Sequence, residues 1–174
     1  MNPLINILIR SHRPDMLKNC LASVSEQTYE NKLLWLDENG GAMPEFTYNN
    51  LCNKLKALIS DGWFFFLDDD DTLFQPEALA RISLHLDDTE TAVICQFIRD
   101  GWKKPSDDMI QAKAIVPGQI GMPCLFLHSS KKDIADIRPT EDGDFLWIKE
   151  VASKMAVKFV PLIVVNSPKR NFGK

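Results

Sequence analysis

Trp63-Phe64-Phe65-Phe66-Leu67-Asp68-Asp69-Asp70-Asp71-Thr72 is the stretch on which the fold reading turns. Its apolar half fits a strand buried on both faces, and the most acidic run of the chain follows at once. In an open α/β sheet, ligands bind in the crevice at the carboxyl ends of strands. Four adjacent carboxylates at such a place repel one another unless a cation or basic groups offset them. Their oxygens suit a hard cation, Mg2+ or Mn2+, which keeps waters and takes substrate phosphates as further ligands. The plainer reading is a solvated acidic turn ahead of the helix that Pro76 opens.

Upstream, Leu4-Ile5-Asn6-Ile7-Leu8-Ile9 reads as another buried strand. Pro14 and Asp15 suit a helix start. Met16, Leu17, Cys20, Leu21 and Val24 then recur at helical spacing to about Gln27. A strand at Leu33-Leu34-Trp35-Leu36 ends in the turn sequence Asp37-Glu38-Asn39-Gly40. Strand, helix, strand with short joints is the pattern of a mostly parallel α/β sheet flanked by helices, Rossmann-like in class. Leu51, Leu55, Leu58 and Ile59 mark a further helix, and Asn53 on it reads as a plain surface residue. Downstream, the pattern predicts a helix from Pro76 through Leu86, a strand at Ala92-Val93-Ile94-Cys95 and a short strand at Ile115-Val116. It also predicts a strand over 123–127, a helix from Thr140 and a last strand over 157–165. Residues 101–121 hold glycine, proline and charge, and are expected to form a lid on the acceptor side.

The chain has 174 residues, 45% of them apolar and 25% charged, which fits one domain over 1–168 followed by a basic tail over 169–174. The formal net charge of −4 gives no clustered basic face of the kind nucleic-acid binding shows. Cys20, Cys52, Cys95 and Cys124 are scattered without a CxxC pair, so a reduced, cytoplasmic protein is expected. No stretch reads as a signal peptide or a membrane span. The aromatic run 63–66 reads as sheet core. Trp102 and a half-buried Trp147 are the candidates for a sugar-stacking platform.

Two enzyme classes place an acidic motif after a buried strand. Asp68-Asp69-Asp70-Asp71-Thr72 satisfies the DxDxT pattern of haloacid-dehalogenase-like phosphatases, and equally the DxD(D) pattern of nucleotide-sugar transferases. Locally the two stay open, as does a non-catalytic nucleotide-sugar binding module.

Three further places discriminate. Arg10-Ser11-His12-Arg13-Pro14-Asp15-Met16-Leu17 with Cys20-Leu21-Ala22-Ser23 and Gln27-Thr28-Tyr29, then Asp37-Glu38-Asn39-Gly40, then Glu141-Asp142-Gly143-Asp144-Phe145-Leu146-Trp147 bracket the acidic run. In that order they resemble family 2 glycosyltransferases of the GT-A fold, over about residues 4 to 150. A dehalogenase-like phosphatase normally carries DxDxT on its first strand, whereas a whole βαβ unit precedes it here.

The resemblance implies an inverting, metal-dependent transfer from a nucleotide-diphosphate sugar, UDP- or GDP-linked, to an acceptor hydroxyl on a glycan, lipid or protein. It implies that Ser11, His12, Arg13, Asp37, Glu38, Asp68 and Asp69 hold the donor nucleotide. Asp70 and Asp71 would take Mn2+ or Mg2+ and the diphosphate. Asp142 would be the general base, with Glu141 or Asp144 replacing it if the register slips. Members are often longer than this chain, so acceptor choice is expected to be loose or supplied by a partner, a second copy in a homo-oligomer included.

Overall fold

The structure, a computed structural model, describes residues 2–11, 13–38 and 48–168. His12, the turn after Glu38 and the basic tail lie outside these. Among the described residues, strands and helices follow one another as short segments. β1 (Ile5–Ser11), α1 (Pro14–Ser25), β2 (Lys32–Glu38), α2 (Tyr48–Leu58) and β3 (Trp63–Asp68) form the first half. β4 (Thr72–Leu73), α3 (Ala78–Ser83), β5 (Thr91–Arg99), β6 (Trp102–Lys104) and α4 (Asp107–Ala112) follow. A 3-10 turn over Met122–Cys124, β7 (Leu125–His128), a second 3-10 turn, α5 (Gly143–Lys154) and β8 (Ala156–Ser167) complete it.

The strands join one sheet in the order β2-β1-β3-β7-β5-β8-β4, with β6 paired to β5. β1, β2, β3, β5 and β8 run one way, while β7, β4 and β6 run against them. The expected α/β class and mostly parallel strand direction are both present. The sheet continues beyond the parallel half because β7 enters antiparallel between β3 and β5.

The strands form where apolar runs bury on both faces. Every residue of β1 and of β3 is buried, and Phe65 stacks on Phe126 with ring centroids 4.4 Å apart. The aromatic run is therefore core, as expected. So are all four cysteines, buried and unpaired. Trp147 departs from expectation: it is 1% exposed and meets Phe66 edge-on at 5.7 Å, so it offers no platform. Trp102 is 75% exposed.

Several motif residues hold the frame. Gln27 donates to the Gln75 carbonyl at 2.8 Å and accepts from the Leu79 amide at 3.0 Å, tying the end of α1 to the start of α3. The Ser23 hydroxyl accepts from the Leu73 amide, fixing β4 against α1. Gly62 has φ +80°, and a Cβ there would lie 2.7 Å from the Leu4 carbonyl oxygen, so glycine alone lets α2 turn into β3 beside β1.

The polar region over 101–121 is more ordered than the composition suggests. β6 forms a hairpin with β5, and α4 is capped by the Ser106 side chain accepting from the Met109 amide. Ile115 and Val116 lie outside any strand. The helix from Pro76 ends at Ser83, short of the predicted Leu86. No helix among the described residues is long and apolar enough to cross a membrane.

Candidate active site

Parallel pairing alone brings the first three motifs together. In register, Arg10 stands between Asp37 on β2 and Asp68 on β3, and Ser11 stands beside Glu38. The carboxyl ends of β1, β2 and β3 thus form one rim, and the acidic run closes over it as a turn in which the Asp71 amide donates to the Asp68 carbonyl at 3.0 Å. Asp37 is half-buried and Glu38 exposed at that rim.

A tight turn divides its four consecutive carboxylates: Asp68 goes to one arginine, Asp69 and Asp70 to another. Asp68 accepts from Arg10 Nε and Nη2, both at 3.0 Å, in a buried pair. Asp69, fully buried, accepts from the Arg13 backbone amide at 2.8 Å, from Arg13 Nε at 2.9 Å and from the Ser11 hydroxyl at 3.4 Å. Asp70 accepts from Arg13 Nη1 at 2.7 Å. Arg13 stays protonated: burial works against its charge, but Asp69 and Asp70 outweigh that.

Asp71 is enclosed in the protein. It is 0% exposed, and neither oxygen meets hydrogen-bond geometry with a described residue. Ser167 and Arg99, which hydrogen-bond to each other, are near enough only to moderate its charge. Burial, reinforced by Asp68 and Asp70, lifts its carboxyl to about 8, so it is largely protonated at neutral pH. Of the two residues expected to hold a metal, Asp71 is therefore enclosed and largely uncharged at neutral pH.

The fourth motif is brought in by a residue that sequence reasoning passed over. Asn49, 2% exposed on α2, accepts from Arg10 Nη1 at 2.8 Å and donates to the Arg138 and Thr140 carbonyls at 2.8 and 3.3 Å. That places the start of α5 one side chain away from the Arg10–Asp68 pair. Asn53, expected as a plain surface residue, exchanges two hydrogen bonds with the Ile137 backbone at 2.8 and 3.0 Å. Lys56, also 2% exposed, donates to the Ala135 carbonyl at 2.7 Å. Positions 49, 53 and 56 share one helix face, and all three clamp the segment leading into α5. Their spacing was the available signal. Arg10, a cation closing an otherwise apolar strand, was another.

At the start of α5, Glu141 and Asp142 are exposed, and Asp142 stands at the N-cap without a capping hydrogen bond. Asp144 in the first turn is half-buried. Burial and then the nearby Asp68 raise its carboxyl, against the Phe145 amide that it accepts from. Gly143 has to be glycine: a Cβ there would overlap the Arg138 carbonyl oxygen outright and come within 2.5 Å of Asn49 Nδ2.

A divalent cation needs several oxygen lone pairs converging on one point. Both oxygens of Asp69 and one of Asp70 accept from Arg13 instead, and Asp71 is fully enclosed. Among the described residues no group of three His, Cys, Asp or Glu side chains converges as a metal site would. The carboxylates in this arrangement do not fit a divalent metal.

No protein-family model matches the chain, and no curated protein matches it significantly. Solved structures do. S. aureus TarS superposes over 95% of this chain and 37% of its own, with a TM-score of 0.72 and 10% identity. S. aureus TarS 1-349 in complex with UDP-GlcNAc superposes over 98% of this chain and 60% of its own, with a TM-score of 0.68 and 12% identity. Mannosyltransferase PcManGT from Pyrobaculum calidifontis, in complex with GDP-Man and Mn2+, superposes over 99% of this chain and 59% of its own, with a TM-score of 0.66 and 12% identity. This chain thus spans 60% or less of the length of these structures. At such identities the likeness speaks to architecture, and the architecture is a GT-A-like glycosyltransferase fold.

Proposed function

We propose that this chain is a glycosyltransferase domain that moves a sugar from a nucleoside-diphosphate donor to an acceptor hydroxyl with inversion. One observation supports this above the others: Ser11 and Arg13, the Asp37–Glu38 strand end, the acidic turn and the start of α5 gather at the carboxyl ends of β1, β2 and β3. The neighbours of like fold carry UDP-GlcNAc or GDP-Man. Carboxylates at the rim suit ribose hydroxyls and base N–H groups, which donate to them. Arg10 positions Asp68 and, through Asn49, the start of α5.

In the transfer, the acceptor oxygen attacks the anomeric carbon as the bond to the diphosphate oxygen breaks. The hydroxyl proton passes to a carboxylate. Asp142 is the proposed base because it is exposed at the helix start, where an acceptor can reach it. Asp144 is the alternative because it is the carboxyl that couples to Asp68. Mn2+ or Mg2+ is what the family resemblance implies for the leaving diphosphate, and the mannosyltransferase neighbour holds Mn2+. The present carboxylate arrangement does not support that part of the expectation.

Titration with UDP and GDP tests the reading. Binding with a Kd of about 1 mM or tighter, together with slow hydrolysis of a matching nucleotide sugar, is expected. Asp142→Asn is expected to lower transfer by about 10²–10⁴-fold while leaving nucleotide affinity unchanged. A loss on Asp144→Asn alone moves the base to Asp144. Turnover of a generic phosphate ester with no nucleotide binding returns the phosphatase reading, and nucleotide binding without turnover of any donor leaves a binding module.

A further inference from the structure

The acidic turn is partly neutralised from within the chain, by two arginines against three of its carboxylates. Asp68 is matched by Arg10, and Asp69 and Asp70 share Arg13. The Arg13 side chain is 25% exposed, whereas those of Asp69 and Asp70 are 0% and 5% exposed. The cation thus lies over the two carboxylates as a cover. Its delivery is fixed by the backbone. Arg13 precedes Pro14, which restricts it to extended geometry, and it sits at φ −130° and ψ 80° with its own amide also bonded to Asp69. A planar guanidinium bridging two carboxylates through several N–H groups is a geometry that lysine cannot copy.

This arrangement competes directly with a divalent ion. Each carboxylate lone pair that accepts from Arg13 is withdrawn from coordination. A metal entering between Asp69 and Asp70 would also meet a fixed positive charge within a few ångströms. We propose that Arg13 is the resident counter-cation of the acidic turn, standing where a metal-loaded site would have its ion, so that the diphosphate of the donor is received without a divalent metal. The clause on the donor rests on the transferase reading above. The clause on the counter-cation does not.

The experiment separates the two. Micromolar protein is titrated with Mn2+ alone, and free aquo-Mn2+ is followed by electron paramagnetic resonance. Wild type is expected to show no binding in the micromolar range, and Arg13→Gln is expected to tighten Mn2+ binding by at least about tenfold. UDP and GDP are then titrated calorimetrically in EDTA and in Mn2+, with wild-type affinities expected to agree within about twofold. Micromolar Mn2+ binding by wild type, or equal Mn2+ affinity in wild type and a folded Arg13→Gln, overturns the counter-cation. The wild-type measurement decides the point even where the variant does not fold. Nucleotide binding at least about tenfold weaker in EDTA overturns metal-free donor binding. Absence of nucleotide binding in both media refutes the transferase reading and with it the donor clause, and leaves the Mn2+ result to decide the role of Arg13.

Discussion

Gly143→Ala sets two physical effects against each other at one position. By helix propensity the change is favourable, because glycine in a helix costs roughly 0.5–1 kcal/mol relative to alanine. By packing it is not. The added methyl overlaps the Arg138 carbonyl oxygen and crowds Asn49 Nδ2, both parts of a clamp with no free rotamer to give way. Overpacking of this kind costs about 1–3 kcal/mol, and displacing Asn49 from the Arg138 carbonyl removes a hydrogen bond worth about 1 kcal/mol. The sum is a net loss of about 2 kcal/mol, which for a domain of this size lowers Tm by about 4–8 °C. Differential scanning calorimetry at neutral pH reads it, with circular dichroism to confirm an unchanged helix content. A Tm that is unchanged or raised would falsify the close approach of α5 to α2 and the linkage between Arg10 and the α5 start with it.

Asp71→Asn is expected to flatten the dependence of stability on pH. The folded carboxyl at about 8 lies above its ordinary value of 3.8, so the stability it contributes is fully present below about 4 and is lost as pH rises toward 8. Between pH 5.5 and 7.5 the variant should gain on wild type by about 3 kcal/mol in guanidinium titrations, and parallel curves would show that Asp71 ionises freely. Arg10→Met should cost about 3 kcal/mol by stranding a buried carboxylate. Adding Asp68→Asn should restore part of that loss, and strictly additive effects in the double-mutant cycle would refute the pairing. Lys56→Met keeps the apolar stem but removes the donor to the Ala135 carbonyl. Its expected cost is about 1–3 kcal/mol, with faster amide exchange over residues 134–140 in hydrogen-exchange mass spectrometry. Unchanged exchange there would show that the clamp does not depend on the lysine.

The strands β1, β3, β5 and β8 were legible because each carries an apolar run long enough to read through its polar positions, such as Asn6 in β1 and Lys158 in β8. β4 was not, since two residues carry no periodicity, and it exists because Ser23 and Asn166 lie where Thr72 and Leu73 arrive. α4 was hidden in a polar segment, although Ser106 followed by two aspartates is a capping signal that stands in the sequence. At the candidate site the four motifs were visible as sequence; the meeting of three follows from parallel register, and Asn49 brings in the fourth. What the residues one by one did not show is direction. Four identical side chains in a turn meet different surroundings, so the enclosure of Asp71 and the capture of Asp69 and Asp70 by Arg13 depend on three-dimensional placement. Asn49 escaped notice for a related reason: its partners lie on β1 and ahead of α5, far away along the chain.

Because α2 grips β1 through Arg10 and the approach to α5 through Asn49, Asn53 and Lys56, the proposed transfer would have the spacing between its departing sugar and its arriving hydroxyl set by one helix acting as a rod. Such a rod makes the reaction distance independent of whatever gathers the acceptor. Segments that choose the acceptor can then be exchanged, or contributed by other proteins, without retuning the two ends at which bonds break and form.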